Sequence, residues 1–139
     1  MRLWHPLGTL CWILALTILG AACSTGGDGE TPLDRCAGMA PDRPSYAMHV
    51  QPLFNANCAF SGCHTLPNPQ RGLDLGSYQG LMQGSINGPV VIPGNAQDSR
   101  LVKRIEGRET PRMPPNRDPL CQFQIDTIRR WIDQGALNN

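Results

Sequence analysis

The segment Cys58-Ala-Phe-Ser-Gly-Cys63-His64 sets the strongest limit on what this chain can fold into. Two thiols followed at once by an imidazole either bridge each other or converge on one centre, and the remaining residues must be arranged around that choice. Composition shows why a centre is needed. Of 139 residues, 15 + 13 = 28 are glycine or proline, 40% are hydrophobic and 17% are charged. That glycine and proline share lies below the roughly 25–30% that marks disorder, so loops joined by short helices are expected. The length allows one small domain plus whatever precedes it. Such a domain buries little apolar surface alone, and a cofactor, a metal or disulfides would help it hold a single structure. Its six cysteines can serve all three.

A net charge of +1 and the lack of a lysine and arginine cluster interleaved with aromatics give no basis for a nucleic-acid partner. The N-terminus reads as a targeting segment: Arg2 is followed by an unbroken run of apolar, glycine or threonine residues from Leu7 to Ala22. At 16 residues the run is short for a membrane span, which needs about 20. Residues 1–22 are therefore expected to be a signal peptide and the protein to be exported. The end of the run, Leu19-Gly-Ala-Ala-Cys23-Ser, resembles the lipobox of bacterial lipoproteins, which implies lipidation of Cys23 and a place on the periplasmic side of a membrane. Removing Cys11 with the signal leaves five cysteines, and acylation accounts for the odd one. Ordinary cleavage after the small residues is the alternative.

Residues 23–44 lack periodicity and are rich in glycine, proline and acid, the signature of a flexible linker. Cys36 within it is expected to be disulfide-bonded, with Cys121 as partner and Cys23 as the rival. The organised domain spans 45–137. Tyr46, Val50, Leu53 and Phe54 form one helical stripe, which Pro52 restricts to a helix starting near Val50. A second short helix is expected over Ser77 to Gln83 and a third over Asn95 to Ile105, capped by Asn95 or Asp98. A fourth, from about Leu120 to Gln134, carries Ile125, Ile128, Trp131 and Ile132 on one side. Val90-Val-Ile92 is too isolated to predict a sheet. The fold class is mostly α, with three to five short helices, long loops and no strands.

Covalent haem chemistry explains why the residue types of the motif belong together. Each cysteine sulfur can add to a vinyl group, and the adjacent histidine is then held to donate a ring nitrogen to iron. The usual attachment sequence has two residues between the cysteines and this one has four; Ser61-Gly62 supplies the backbone freedom for the wider loop. A second axial ligand is sought among Met39, Met48, Met82, Met113 and His49. Met113 stands out in Pro111-Arg-Met113-Pro-Pro115, where prolines stiffen an extended loop and present the thioether, whereas Met82 falls at core-filling helical spacing.

The stretches VQPLFNANCAFSGCH, GLDLGSYQGLMQG, VVIPGNAQDSRLVKRI, RMPP and IRRWIDQGA together resemble the small planctomycete-type c-type cytochrome domains, over about Val50 to Ala136. The resemblance implies a cytochrome c-like fold around one covalent haem c, with Cys58 and Cys63 as attachment points, His64 as proximal and Met113 as distal iron ligand. It also implies packing of the Trp131 helix on the helix before the cysteines. With both axial positions filled, the function would be electron transfer to a redox partner protein rather than catalysis; a haem with Met113 off the iron would instead suit a sensor. Two haem-free alternatives stand beside these. One is a zinc site of Cys58, Cys63 and His64 with Cys121 or His49; the other is a small binding domain with a structural Cys58–Cys63 disulfide.

Overall fold

The computed structural model describes residues 36–139. The expected signal peptide over 1–22, the Cys23 expected to carry lipid, and the part of the expected linker up to residue 35 lie outside the described residues. Among those described, the order is a π-helical turn Tyr46–Val50, helix α1 Gln51–Asn57, a 3-10 turn Gln70–Gly72, and helices α2 Tyr78–Gln83, α3 Arg100–Ile105 and α4 Gln122–Asp133. Long loops separate them, and no strand forms among the described residues. The sole β feature there is an isolated bridge between Ser85 and Gly88. The fold is mostly α.

Pro52 decides how the first helix starts. Proline has no N–H to donate and is tolerated in a first turn, and here it sits at the opening of α1. The sequence stripe begins earlier, at Tyr46, and the chain keeps it helical by widening the turn, so that Gln51 donates to Tyr46 O across five residues. Tyr46, Val50 and Phe54 are consequently all buried. The helical segment thus extends further back than the expected start near Val50, because the π turn ends where proline needs no donor.

Helix α2 starts at Ser77, whose side chain accepts from the Gly80 N–H at 3.0 Å. Helix α3 starts later than expected. Asn95 and Asp98 bond each other, the Asp98 N–H to Asn95 Oδ1 and Asn95 Nδ2 to Asp98 Oδ2, and close a separate turn instead of capping a helix. The buried Ser99 hydroxyl then donates to Asn95 O and accepts from the Ile92 N–H, and the helix begins at Arg100. Leu101, Val102 and Ile105 are its buried face.

Helix α4 supplies the centre of the core. Ile125, Ile128, Trp131 and Ile132 are buried along one side, and the chain leaves the helix through Gly135 at φ 103°, a left-handed conformation that glycine adopts without strain. The Trp131 ring lies 5.3 Å from Tyr46 and 6.4 Å from Tyr78, and those two tyrosines stack edge to face at 5.0 Å. Its Nε1–H donates to Leu137 O at 2.9 Å. The last helix therefore packs on the π-helical turn that leads into α1, and also on α3.

Residues 36–44, read as the end of a linker, are held against α4. Cys36 is disulfide-bonded to Cys121, the residue preceding α4. Arg130 Nη1 donates to Ala40 O at 2.7 Å, Gln134 Nε2 donates to Asp42 O at 2.6 Å, and Gly38 lies against the Phe123 ring. A segment without periodicity can dock in this way because backbone carbonyls make much of the contact, with the Cys36 bridge and the Asp42 carboxylate, 3.4 Å from Arg130 Nη1, adding to it.

Candidate functional site

Cys58 is the C-terminal cap of α1, its N–H bonded to Phe54 O at 2.8 Å. The four residues after it form an outward loop: the Cys63 N–H donates to Phe60 O at 2.9 Å, and the His64 N–H returns to Cys58 O at 3.3 Å. Gly62 carries φ 80° with open space where a side chain would stand, so the loop uses the backbone freedom that its sequence offers. Behind the histidine, Leu75 N–H donates to His64 O at 2.8 Å and Gln70 N–H to Cys63 O at 2.6 Å, which folds residues 65–75 around the motif.

Cys58 is buried and Cys63 exposed, and neither is bridged. The Cys58–Cys63 disulfide is thus not formed. Burial, reinforced by the neighbouring Cys63, pushes the Cys58 thiol up to about 12, although Arg117 pulls in the opposite direction. His64 is pushed below the ordinary imidazole range by burial, with the Leu73 and Gln70 carbonyls acting against that shift. Its Nδ1 atom is buried and has no hydrogen-bond partner. Such an atom is costly to leave unpaired, and a bound ligand is one of the things that would account for it.

A cavity of about 400 Å³ opens at this point. Cys58, His64, Leu73, Leu75, Val90, Leu101, Ile105, Pro111 and Met113 form much of its wall, and Arg71, Ser85, Asn87, Arg100 and Arg104 add the polar part. A second cavity of about 390 Å³ shares Cys58, His64, Arg71 and Met113 and adds Cys63 and Arg117. The loop carrying Met113 reaches this place because it folds back on α3. Met113 N–H donates to Arg104 O at 3.0 Å, and Arg104 Nη1 donates to Pro111 O at 3.1 Å. The expected non-helical loop is thus fastened to α3 by these bonds.

Of the sequence-derived candidates, Cys58, Cys63, His64 and Met113 are brought together around the two cavities. The others lie elsewhere. Met39 and Met48 are exposed, Met82 packs against the hydrophobic core, and His49 Nδ1 accepts from the Ser45 N–H at 3.0 Å. Cys121 is committed to its disulfide. Among the described residues no group of three or more His, Cys, Asp or Glu side chains is set to hold a metal ion, which leaves the zinc reading without a ligand set. No described helix is long and apolar enough to cross a membrane.

Sequence reading missed the arginines. Arg100 and Arg104 both engage Glu109 Oε1, at 2.6 and 3.0 Å, on the wall of the first cavity. Those contacts hold the Glu109 carboxyl below the usual range. No carboxylate lines either cavity, so the rim is positive. Single charged residues on a short helix give no signal in the sequence beyond a solvated face.

Residues 61–117 match the family model described as Planctomycete cytochrome C. Over these residues the chain is similar to planctomycete-type cytochrome domains. The match runs from the cysteine loop through the methionine loop and thus spans most of the residues that line the two cavities. Neither the curated proteins nor the solved structures give a match. A cytochrome c family implies haem c as cofactor in general and electron carriage more than catalysis. The donors present fit that group. Cys58 and His64 line the first cavity and Cys63 the second, both thiols are unbridged, and the arginines on the rim suit a ligand bearing carboxylates.

Proposed function

We propose that this protein is an exported monohaem c-type cytochrome whose role is to carry electrons to a partner protein. The observation that carries the reading is the convergence of Cys58, His64 and Met113 on one apolar cavity, with Cys63 on the adjoining one. Bound there, haem c would supply reversible one-electron chemistry at its iron. Cys58 and Cys63 are the two sulfurs that would hold it covalently, and His64 and Met113 are the residues that would ligate its iron. Leu73, Leu75, Val90, Leu101 and Ile105 give the cavity apolar walls, which would limit solvent around the bound group and favour a single ligand set. A histidine and a thioether ligand together raise the potential and leave no position for a substrate, so the role is carriage and not catalysis.

Export with lipid attached at Cys23, on the periplasmic side, belongs to the same proposal. The Cys36–Cys121 disulfide supports an oxidising compartment. The deciding experiment is an alkaline pyridine haem spectrum of protein made with a cytochrome c maturation system. A covalent haem band at one haem per chain is expected, and its absence would sink the reading.

A further inference from the structure

Two residues outside the ligand set join the cysteine loop to the methionine loop. Phe60 projects from the wide loop between Cys58 and Cys63 and is 36% exposed. The Arg117 guanidinium carbon lies 4.8 Å from the centre of its ring. That contact spans 117 − 60 = 57 residues of chain. Arg117 also lines the second cavity together with Cys58, Cys63, His64 and Met113. Its carbonyl accepts from Arg112 Nη2 at 3.0 Å, which ties it to the residue before Met113.

The methionine loop is thus fastened at two places. On one side, Arg104 of α3 accepts from the Met113 N–H and donates to Pro111 O. On the other, after Pro114, Pro115 and Asn116, Arg117 rests on the loop that carries the thiols. Met113 sits between the two fastenings. A spacing of four residues between the cysteines is what makes room for Phe60 there; Gly62, with open space around it and φ 80°, lets the loop turn outward.

We propose that Phe60 and Arg117 are positioning residues that latch the methionine loop onto the cysteine loop and hold Met113 over the cavity that His64 faces. The wide cysteine spacing is then a device for setting the second ligand, and not only a longer tether. The pair acts through Met113 and touches no iron. An exposed cation–π contact shifts an equilibrium by about two- to fivefold, so the latch biases the methionine-bound form without creating it.

The inference rests on the haem reading proposed above, and the test separates the two. Purified holoprotein is compared as wild type, Phe60→Ala, Arg117→Ala, the double variant and Phe60→Tyr. Two quantities are read for each: the pyridine haem spectrum, and the red absorption band of methionine sulfur on ferric haem iron as pH is raised. Each alanine variant should keep its covalent haem but lower the ratio of methionine-bound to methionine-free ferric protein about two- to fivefold. The double variant should lose no more than either single one, and Phe60→Tyr should match wild type. A methionine band unchanged in Phe60→Ala and Arg117→Ala overturns the latch alone. Losses that simply multiply in the double variant also overturn it, since two independent residues would not form one contact. A wild type without covalent haem overturns the electron-carrier reading and the latch with it.

Discussion

The Met113 N–H donates to the carbonyl of Arg104, a 3.0 Å bond that fastens the proline-rich loop to the last turn of α3. It fixes the backbone from which the thioether projects into the cavity that His64 also lines. Replacement of the side chain leaves that bond in place, which makes the site open to clean substitution.

Met113→Ala should therefore retain covalent haem, lose the red ferric band and lower the reduction potential. His64→Ala should prevent formation of a stable holoprotein. Met82→Ala, which removes a side chain packed on the core, should keep the band. Spectra and potentiometry of the three variants check this, and loss of the band in Met82→Ala with retention in Met113→Ala would reverse the assignment.

Cys58→Ser and Cys63→Ser should each leave haem held by one thioether. Under denaturing conditions, intact mass should still show one haem per chain in each single variant and none in the double variant. The buried position of Cys58 and the exposed one of Cys63 predict a larger loss of yield for Cys58→Ser.

The disulfide ties residue 36 to the start of α4 and closes a loop of 85 residues. In the chain-entropy account, a loop of that size constrains the unfolded state by about 4–5 kcal/mol, and measured losses run about 2–4 kcal/mol. Cys36→Ser should reduce urea stability by that lower amount while keeping the visible spectrum, because the bond lies outside both cavities.

Tyr46 gives an alkaline prediction. Burial, with Asp74 and then Tyr78 adding to it, raises its hydroxyl from 10.0 to about 12. The neutral form is thus favoured by folding. Its contribution is fully present below pH 10 and is lost as pH rises from there through about 12. Tyr46→Phe keeps the ring beside Trp131 but removes the titrating group and its bond to Gln51 Oε1. Unfolding free energy measured between pH 9 and 12 should fall more steeply for wild type than for Tyr46→Phe.

The parts of the fold legible in the sequence were those with one-sided periodicity. Ile125, Ile128, Trp131 and Ile132 announce α4 because a helix that packs on one face repeats its apolar residues every three or four positions. Asn95 and Asp98 misled because the same side chains that cap a helix can close a turn on each other. The widened turn at Tyr46–Val50 has no sequence signature beyond Pro52. At the site, cysteine, histidine and methionine were readable because their chemistry is specific. Phe60 with Arg117, and Arg100 with Glu109, were not; each pair is created by chain reversal, and each residue taken singly looks like ordinary surface.

The docking of residues 36–44 on α4 would also set how far a lipid-anchored form of this protein could roam. The bridge to Cys121 pins the chain to the body at Cys36, so a lipid on Cys23 would leave a leash of only 36 − 23 = 13 residues. Fully stretched, that is about 45 Å. A carrier on so short a line sweeps a thin layer above the membrane and meets only partners that stand within it, which makes the height of a partner's electron-accepting face as much a criterion of fit as its charge.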